Sequence, residues 1–205
     1  TSASYNHTLS YGFGTSWDQP ARWDENVTAF LKKNTHCTIY LVGNINNLTH
    51  NVLNVSNLDI VGESPLNPNA GYIDLSGWNS SGFIVNASEI TFTKLTFKNA
   101  NLSDGNGGAI RILGNATVID SCTFINNTAV NGSAVCFESG IVLLIRNSVF
   151  VNNTGVNGTV YMHKDAESTV IYTSTFQNNT AYLGAGVYYA GPVWYFIDAS
   201  TFQKF

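Results

Sequence analysis

The chain has 205 residues, a formal net charge of −4, and a composition that is 44% hydrophobic and only 11% charged. This hydrophobic content excludes an intrinsically disordered chain, and the lack of any cluster of Lys or Arg argues against nucleic acid as a partner. No apolar run approaches the roughly 18 residues of a membrane-spanning helix, so membrane insertion is not expected.

The N-terminal part is predicted to contain an extended segment followed by one amphipathic helix. Residues 1–19 carry aromatic side chains outside any repeat, whereas residues 20–34 have apolar residues at helical spacing. Pro20 suits the start of this helix and Asn34 its end. The apolar stripe consists of Trp23, Val27, Phe30 and Leu31. We expect the helix to cap the first coil of the domain that follows.

Residues 35–205 are predicted to form one repetitive domain, which is most regular over residues 89–205. Its phenylalanines recur at intervals of 27, 26, 26 and 26 residues, and a fixed period of this kind indicates a solenoid. They are Phe97, Phe124, Phe150, Phe176 and Phe202. The segments between turns are short and β-prone, and Gly and Asn recur too often for pairs of helices. The fold class is therefore all-β: a right-handed parallel β-helix of about six to seven coils.

Because each strand of such a solenoid pairs with the equivalent strand one coil on, like side chains should stack in ladders. One ladder lies five residues before the phenylalanines and consists of Ile119, Ile145, Ile171 and Ile197. A second lies two residues after them, at Asn126, Asn152 and Asn178. Alternation along the strand from each Phe predicts that these asparagines point inward and bond to one another.

The compartment is inferred from glycosylation motifs. Asn-x-Ser/Thr occurs 13 times, which favours an extracellular, cell-surface protein whose signal peptide has been removed; Asn-rich turns that happen to precede Ser or Thr are the alternative. The inward ladder asparagines are not expected to carry glycans. The expected acceptors are Asn6, Asn26, Asn47, Asn54, Asn79, Asn86, Asn101, Asn115, Asn131 and Asn157. The number of cysteines is odd, so at least one is unpaired within the chain, and free buried thiols are favoured over a bridge for Cys122 and Cys136.

The two ends of the β-helix predict how it assembles. The last ladder residue is followed at once by the final residues of the sequence, without a polar capping coil. Either the sequence is a piece of a longer solenoid, or the C-terminal coil is open and another subunit covers it. The aromatic N-terminal segment could add as a strand to the open coil of a second copy, giving head-to-tail filaments. The residues assigned to this contact are Tyr5, Leu9, Tyr11, Phe13, Phe202 and Phe205.

No catalytic or metal-binding constellation is apparent in the sequence, and we expect neither an enzyme nor a cofactor. Asp120 and Arg146 should be neighbours on adjacent coils and form a surface ion pair. Asp104 and Asn106 could hold a cation, although turn chemistry explains them better. The main alternative to a structural role is binding of surface glycans by aromatic residues. These are Tyr161, Tyr172, Tyr188, Tyr189, Trp194 and Tyr195.

The repeating Thr-Phe-x-Asn-Asn-Thr units and the Gly-rich turn at residues 104–110 resemble two groups of proteins. These are the polymorphic outer-membrane proteins and the adhesin-like β-helix surface proteins of methanogenic archaea. The resemblance covers residues 89–205, and residues 55–64 are similar in style to early coils of pectate-lyase-like folds. It implies an adhesive or structural role at a cell surface, and a polysaccharide lyase or hydrolase is less favoured.

Overall fold

The computed structural model describes residues 2–5, 29, 31–33, 36–41, 43–45, 51–62, 72–192 and 194–203. Most of these residues belong to short strands. In chain order the strands are β1 (Ser2–Tyr5), β2 (Cys37–Leu41), β3 (Asn44–Ile45), β4 (Val52–Leu53), β5 (Leu58–Val61), β6 (Tyr72–Asp74), β7 (Phe83–Val85), β8 (Ile90–Thr93), β9 (Thr96–Lys98), β10 (Asn101–Asn106), β11 (Ile110–Ile112), β12 (Thr117–Asp120), β13 (Thr123–Ile125), β14 (Thr128–Asn131), β15 (Val135–Arg146), β16 (Val149–Val151), β17 (Thr154–Asn157), β18 (Val160–Tyr172), β19 (Thr175–Gln177), β20 (Thr180–Leu183), β21 (Val187–Tyr189), β22 (Trp194–Asp198) and β23 (Thr201–Gln203).

The strands form three parallel sheets around one hydrophobic core. Sheet A has twelve strands, sheet B has the seven strands β3, β6, β9, β13, β16, β19 and β23, and sheet C has the four strands β10, β14, β17 and β20. Each strand pairs with its equivalent on the next coil; β13, for example, lies between β9 and β16. This arrangement is the predicted all-β parallel solenoid.

About five turns of the solenoid follow the predicted spacing. Phe97, Phe124, Phe150, Phe176 and Phe202 are successive partners in sheet B. Before them, Ile45 pairs with Ile73 and Ile73 with Phe97, so the earlier turns are less regular in length. The predicted right-handed sense rests on the general preference of crossover connections between parallel strands.

A single residue in the left-handed conformation turns the chain at most corners of a coil. In the coil that contains β12 and β13, Ser121 and Asn126 both have φ of 55°. The equivalent corners one coil on are Asn147 (φ 51°) and Asn152 (φ 55°). Asn tolerates this conformation better than most residues, which explains why Asn recurs at fixed positions of the repeat.

The core consists of stacked columns of like side chains. Phe97, Phe124, Phe150 and Phe176 are fully buried, and the ring centroids from Phe97 through Phe202 lie 5.2, 4.7, 4.5 and 4.7 Å apart along the column. A second column in sheet A runs from Ile119 through Ile145 and Ile171 to Ile197. Both columns occupy the positions that the repeat predicts for them.

The N-terminal end differs from the expectation in one respect. Strand β1 pairs in parallel with β2 of its own chain, from Ser2 with Thr38 to Tyr5 with Leu41. The backbone of Tyr5 therefore extends the chain's own sheet A instead of being available as an added strand for a second copy. Leu9, Tyr11, Phe13 and Phe205 lie outside the described residues.

The predicted capping helix falls mostly outside the described residues. Within residues 20–34, residues 29 and 31–33 are helical, and Leu31 is buried as part of the core cluster. No described helix is long and apolar enough to cross a membrane.

Candidate functional site

The inner asparagine ladder lies one residue later than the sequence predicts. Asn126, Asn152 and Asn178 are exposed, whereas Asn127, Asn153 and Asn179 are completely buried. The reason is the left-handed corner, because a residue with φ near 55° interrupts the alternation of a strand and turns the following side chain inward. The prediction that Asn126, Asn152 and Asn178 point inward was therefore wrong.

The buried asparagine side chains satisfy backbone groups of the preceding coil and bond to one another from coil to coil. The amide of Asn153 donates from Nδ2 to the Phe124 carbonyl at 3.0 Å, and its Oδ1 accepts from the backbone N–H and the Nδ2 of Asn127 at 2.9 and 3.0 Å. Asn179 repeats these contacts one coil on. Ser148 and Ser174 play a similar part at the other corner, where each hydroxyl accepts a backbone N–H from the preceding coil.

The corrected ladder changes which asparagines of the Asn-x-Ser/Thr motifs are expected to be accessible. Among these asparagines the exposed ones are Asn54, Asn79, Asn86, Asn101, Asn115, Asn126, Asn152 and Asn178. Of them, Asn86 donates from Nδ2 to Asn54 Oδ1 at 3.2 Å. In contrast, Asn131 and Asn157 are half-buried, and the Nδ2 atom to which a glycan would be attached donates to Asn106 and Asn131, at 2.8 and 2.7 Å respectively. Asn6, Asn26 and Asn47 lie outside the described residues.

The aromatic residues of the last coils do not form one continuous platform. Trp194 and Tyr195 are 84% and 61% exposed, whereas Tyr161 is buried and stacks on Tyr188 at 5.9 Å. Tyr189 stacks on Tyr195 at 4.5 Å. Tyr172 accepts a hydrogen bond from Arg146 at 3.3 Å and belongs to a polar surface.

The predicted pair of Asp120 and Arg146 is present on adjacent coils. Arg146 Nε donates to Asp120 Oδ2 at 2.7 Å, and Asn147 donates to Asp120 Oδ1 at 3.0 Å. Partial burial raises the pKa of Asp120, but hydrogen bonds from Asn147, Ser121 and Arg146 outweigh it, and the net pKa is lowered. The pair fits a structural role on the surface of sheet A.

A polar cleft lies elsewhere on sheet A, over β11, β15 and β18. These strands are neighbours: Arg111 of β11 pairs with Cys136 of β15, and Cys136 pairs with Tyr161 of β18. Between Phe137 and Ser139 the register of β15 and β18 shifts, so that His163 and Lys164 together face Glu138 alone. Such a β-bulge bends a strand and redirects its side chains, and bulges are frequent beside functional sites. The cleft has a volume of about 390 Å³.

Glu138 is the centre of the hydrogen-bond network in this cleft. Arg111 donates to both of its carboxylate oxygens, from Nε at 2.9 Å and from Nη2 at 2.8 Å. Asn106 donates to Oε1 at 2.7 Å, and the Cys136 thiol lies 3.9 Å from the same oxygen. Burial and the neighbouring carboxylate raise the pKa of Cys136, so this cysteine is an unreactive thiol beneath the cleft.

A chain of amides extends this network along the solenoid. Asn157 donates to Asn131, Asn131 to Asn106, and Asn106 to Glu138. Each step crosses from one coil to the next, so four polar side chains are held in fixed orientations by their neighbours. This outer ladder places Asn106 in a hydrogen-bond network with Asn131 and Glu138.

The opposite wall of the cleft is formed by the bulge. His163 Nδ1 lies 3.2 Å from Asp165 Oδ2 and accepts the backbone N–H of Asp165 at 3.4 Å. Lys164 Nζ lies 3.0 Å from Asp165 Oδ1. The exposed Asp165 carboxyl has a lowered pKa, chiefly because of the hydrogen bond from Lys164. Among the described residues no group of three His, Cys, Asp or Glu could hold a metal ion.

The spacing of charged residues in the sequence contains a signal for this cleft. Arg111 and Glu138 are 27 residues apart, as are Glu138 and Asp165, which is close to one coil in each case. The same reasoning that paired Asp120 with Arg146 would have placed these charges side by side. The bulge itself has no comparable signature in the residue types.

The network around Glu138 predicts a specific loss of stability in acid. Partial burial raises the pKa of Glu138, but the hydrogen bonds from Arg111 and Asn106 and the charge of Arg111 lower it below its ordinary value of 4.5. The stabilisation is therefore complete above that value and is lost as the pH falls through the folded-state pKa. Urea unfolding should show the wild type more stable than Glu138→Gln at pH 7, with the difference shrinking towards pH 3.

Arg111→Gln removes the same ion pair from the other side and should reduce the pH dependence in the same way. An equal gap between wild type and Glu138→Gln at both pH values would contradict this assignment.

Comparisons with protein-family models, with curated proteins and with solved structures found no match. The described residues form a parallel β-solenoid of about five regular turns, with a polar cleft over β11, β15 and β18 of sheet A.

Proposed function

We propose that the chain is an extracellular structural and adhesive protein of the cell surface. The observation that carries this proposal is the unbroken stacking of the Phe column, with ring separations of 4.5 to 5.2 Å over five coils. A continuous ladder of this kind makes a stiff rod, which suits a spacer or a filament subunit. The exposed glycosylation motifs and the resemblance to adhesin-like and polymorphic outer-membrane β-helix proteins support the same proposal.

The proposed assembly is head-to-tail contact between copies, through the coil formed by β20 to β23. Its apolar side chains are exposed: Trp194, Phe196 and Phe202 to 84%, 57% and 39%. Among the described strands, sheet A has β1 and β4 at its N-terminal edge and β21 and β22 at the other. Stacking β22 of one copy against β1 of the next would continue the parallel sheet and cover these residues. In this arrangement β1 is the receiving edge.

Sedimentation velocity and electron microscopy of the full chain test the assembly. We expect oligomers that grow with protein concentration and appear as rods, and we expect Phe196→Glu to remain monomeric because it places a charge in the contact. Ile141→Glu is the matched control, since Ile141 is 53% exposed but lies in β15 outside the terminal coil; it should assemble as the wild type does. Monomers at every concentration would refute head-to-tail assembly.

Binding of surface glycans is the second candidate, and the polar cleft on sheet A favours it. A glycoside hydrolase needs one carboxyl group with a raised pKa as general acid. Both carboxyl groups of the cleft, Glu138 and Asp165, have lowered pKa values, and Glu138 is also held by Arg111 on both oxygens. This chemistry favours binding over hydrolysis.

A further inference from the structure

The cleft over β11, β15 and β18 has the size and rigidity of a binding site for a small molecule. Its volume of about 390 Å³ lies within the range of roughly 300–1,000 Å³ that is usual for such sites. Its walls are strands instead of loops, and the bulge in β18 directs His163 and Asp165 towards it. Sites built on regular elements hold their groups more precisely than sites on loops.

The charges of the cleft are matched within the protein. Arg111 is bound by both oxygens of Glu138, and the Asp165 carboxylate lies 3.0 Å from Lys164. A carboxylate or phosphate ligand that took the place of Glu138 on Arg111 would leave a partly buried charge without its partner. A neutral ligand meets no such cost.

Some polar atoms of the cleft take no part in these ion pairs, and they include both hydrogen-bond donors and hydrogen-bond acceptors. The Nη1 group of Arg111 has no acceptor among the described residues. The Ser139 hydroxyl donates to the Leu113 carbonyl at 3.1 Å and keeps lone pairs to accept with. Nδ1 of His163 is occupied by Asp165, since it lies 3.2 Å from Oδ2 and 3.4 Å from the backbone nitrogen of that residue, and Nε2 is the ring nitrogen left to contact a ligand.

From this arrangement we propose that the cleft binds a neutral saccharide unit. Each sugar hydroxyl both donates and accepts, so it can bridge an acceptor such as the Asp165 carboxylate and a donor such as Arg111 Nη1. The largely polar walls, with Leu113 and the Tyr161 ring as the apolar part, fit a hydroxyl-rich molecule better than an apolar one. The proposal names a ligand class for the adhesive part of the proposed function, and it stands or fails independently of head-to-tail assembly.

Saturation-transfer NMR on the full chain tests the proposal with methyl glycosides of glucose, galactose, mannose and N-acetylglucosamine, and with galacturonic acid and glucose 6-phosphate as charged comparators. We expect at least one neutral glycoside to bind at millimolar concentration. Asp165→Asn should weaken that binding about tenfold or more, because a hydrogen bond to a charged group is lost. Glu167→Gln is the matched control: it changes an exposed carboxylate on the same strand outside the cleft, and its binding should equal that of the wild type.

Three results would overturn the proposal. The first is the absence of saturation transfer to any neutral glycoside. The second is a double variant, Asp165→Asn with His163→Ala, that binds the glycoside as strongly as the wild type does. The third is binding of the charged comparators alone. Asp165 is exposed and His163 is half-exposed, so neither substitution should prevent folding, and a urea unfolding curve for each variant verifies this. If the variants lose saccharide binding but still form rods, the saccharide site and the assembly contact are separate.

Discussion

Replacing Asn153 with alanine should destabilise the protein by about 3–5 kcal/mol, because three buried groups lose their partner at once. The Phe124 carbonyl, the backbone N–H of Asn127 and one amide hydrogen of Asn127 all bond to the Asn153 side chain. Asn153 is fully buried, so water cannot replace these bonds without opening the corner. Urea unfolding followed by circular dichroism measures the change.

The neighbouring residue provides a matched control for this prediction. Asn152→Gly removes the same type of side chain from an exposed position with φ of 55°, a conformation that glycine adopts readily. It should change the free energy of unfolding by less than about 1 kcal/mol. If Asn152→Gly destabilised the protein more than Asn153→Ala, the inner ladder would lie at the position first predicted from the sequence, and the corrected assignment would be wrong.

Phe150→Ala should cost about 3–5 kcal/mol, since it removes a fully buried ring from the middle of the column. Its ring lies 4.7 Å from that of Phe124 and 4.5 Å from that of Phe176, so the deletion leaves a cavity bounded by rigid rings on two sides and removes two stacking contacts. Phe150→Leu keeps much of the volume and should cost clearly less.

Phe202, at the end of the same phenylalanine column, provides the comparison with Phe150. Phe202 stacks on Phe176 at 4.7 Å but is 39% exposed, so in the monomer Phe202→Ala should cost less than half as much as Phe150→Ala, as measured by thermal or urea unfolding. Equal losses at the two positions would mean that the terminal coil is already covered in solution, which is the situation expected if copies assemble through it.

The fold could be predicted from the sequence because the spacing of the repeat indicates which strands, far apart along the chain, pair with each other. A spacing of 26 residues between phenylalanines fixes which strands pair, and burial then follows for Phe and Ile columns alike. The register of polar residues is harder to predict. A pair such as Asn126 and Asn127 gives no sign of which member takes the left-handed corner, and the conformation of that one residue decides which side chain is buried.

The cleft was missed for a different physical reason. Its residues come from three coils, and they converge only because β18 carries an additional residue opposite Glu138. Residue types do not report such a bulge, since His163 and Lys164 are unremarkable in a surface strand. The pairing of β1 with β2 was likewise missed, because backbone hydrogen bonds between short strands leave no pattern in side chains as small as those of Ser2 and Ala3.

The two asparagine ladders point in opposite directions along the solenoid. In the inner ladder each Nδ2 donates towards the C-terminal coil, from Asn127 to Asn153 and from Asn153 to Asn179. In the outer ladder each donates towards the N-terminal coil, from Asn157 to Asn131 to Asn106. The amide dipoles of the two rows therefore oppose each other, whereas aligned dipoles add up as they do in an α-helix. Along these coils the contributions of the two rows of side-chain amides therefore offset each other, so this part of the dipole does not grow as coils are added.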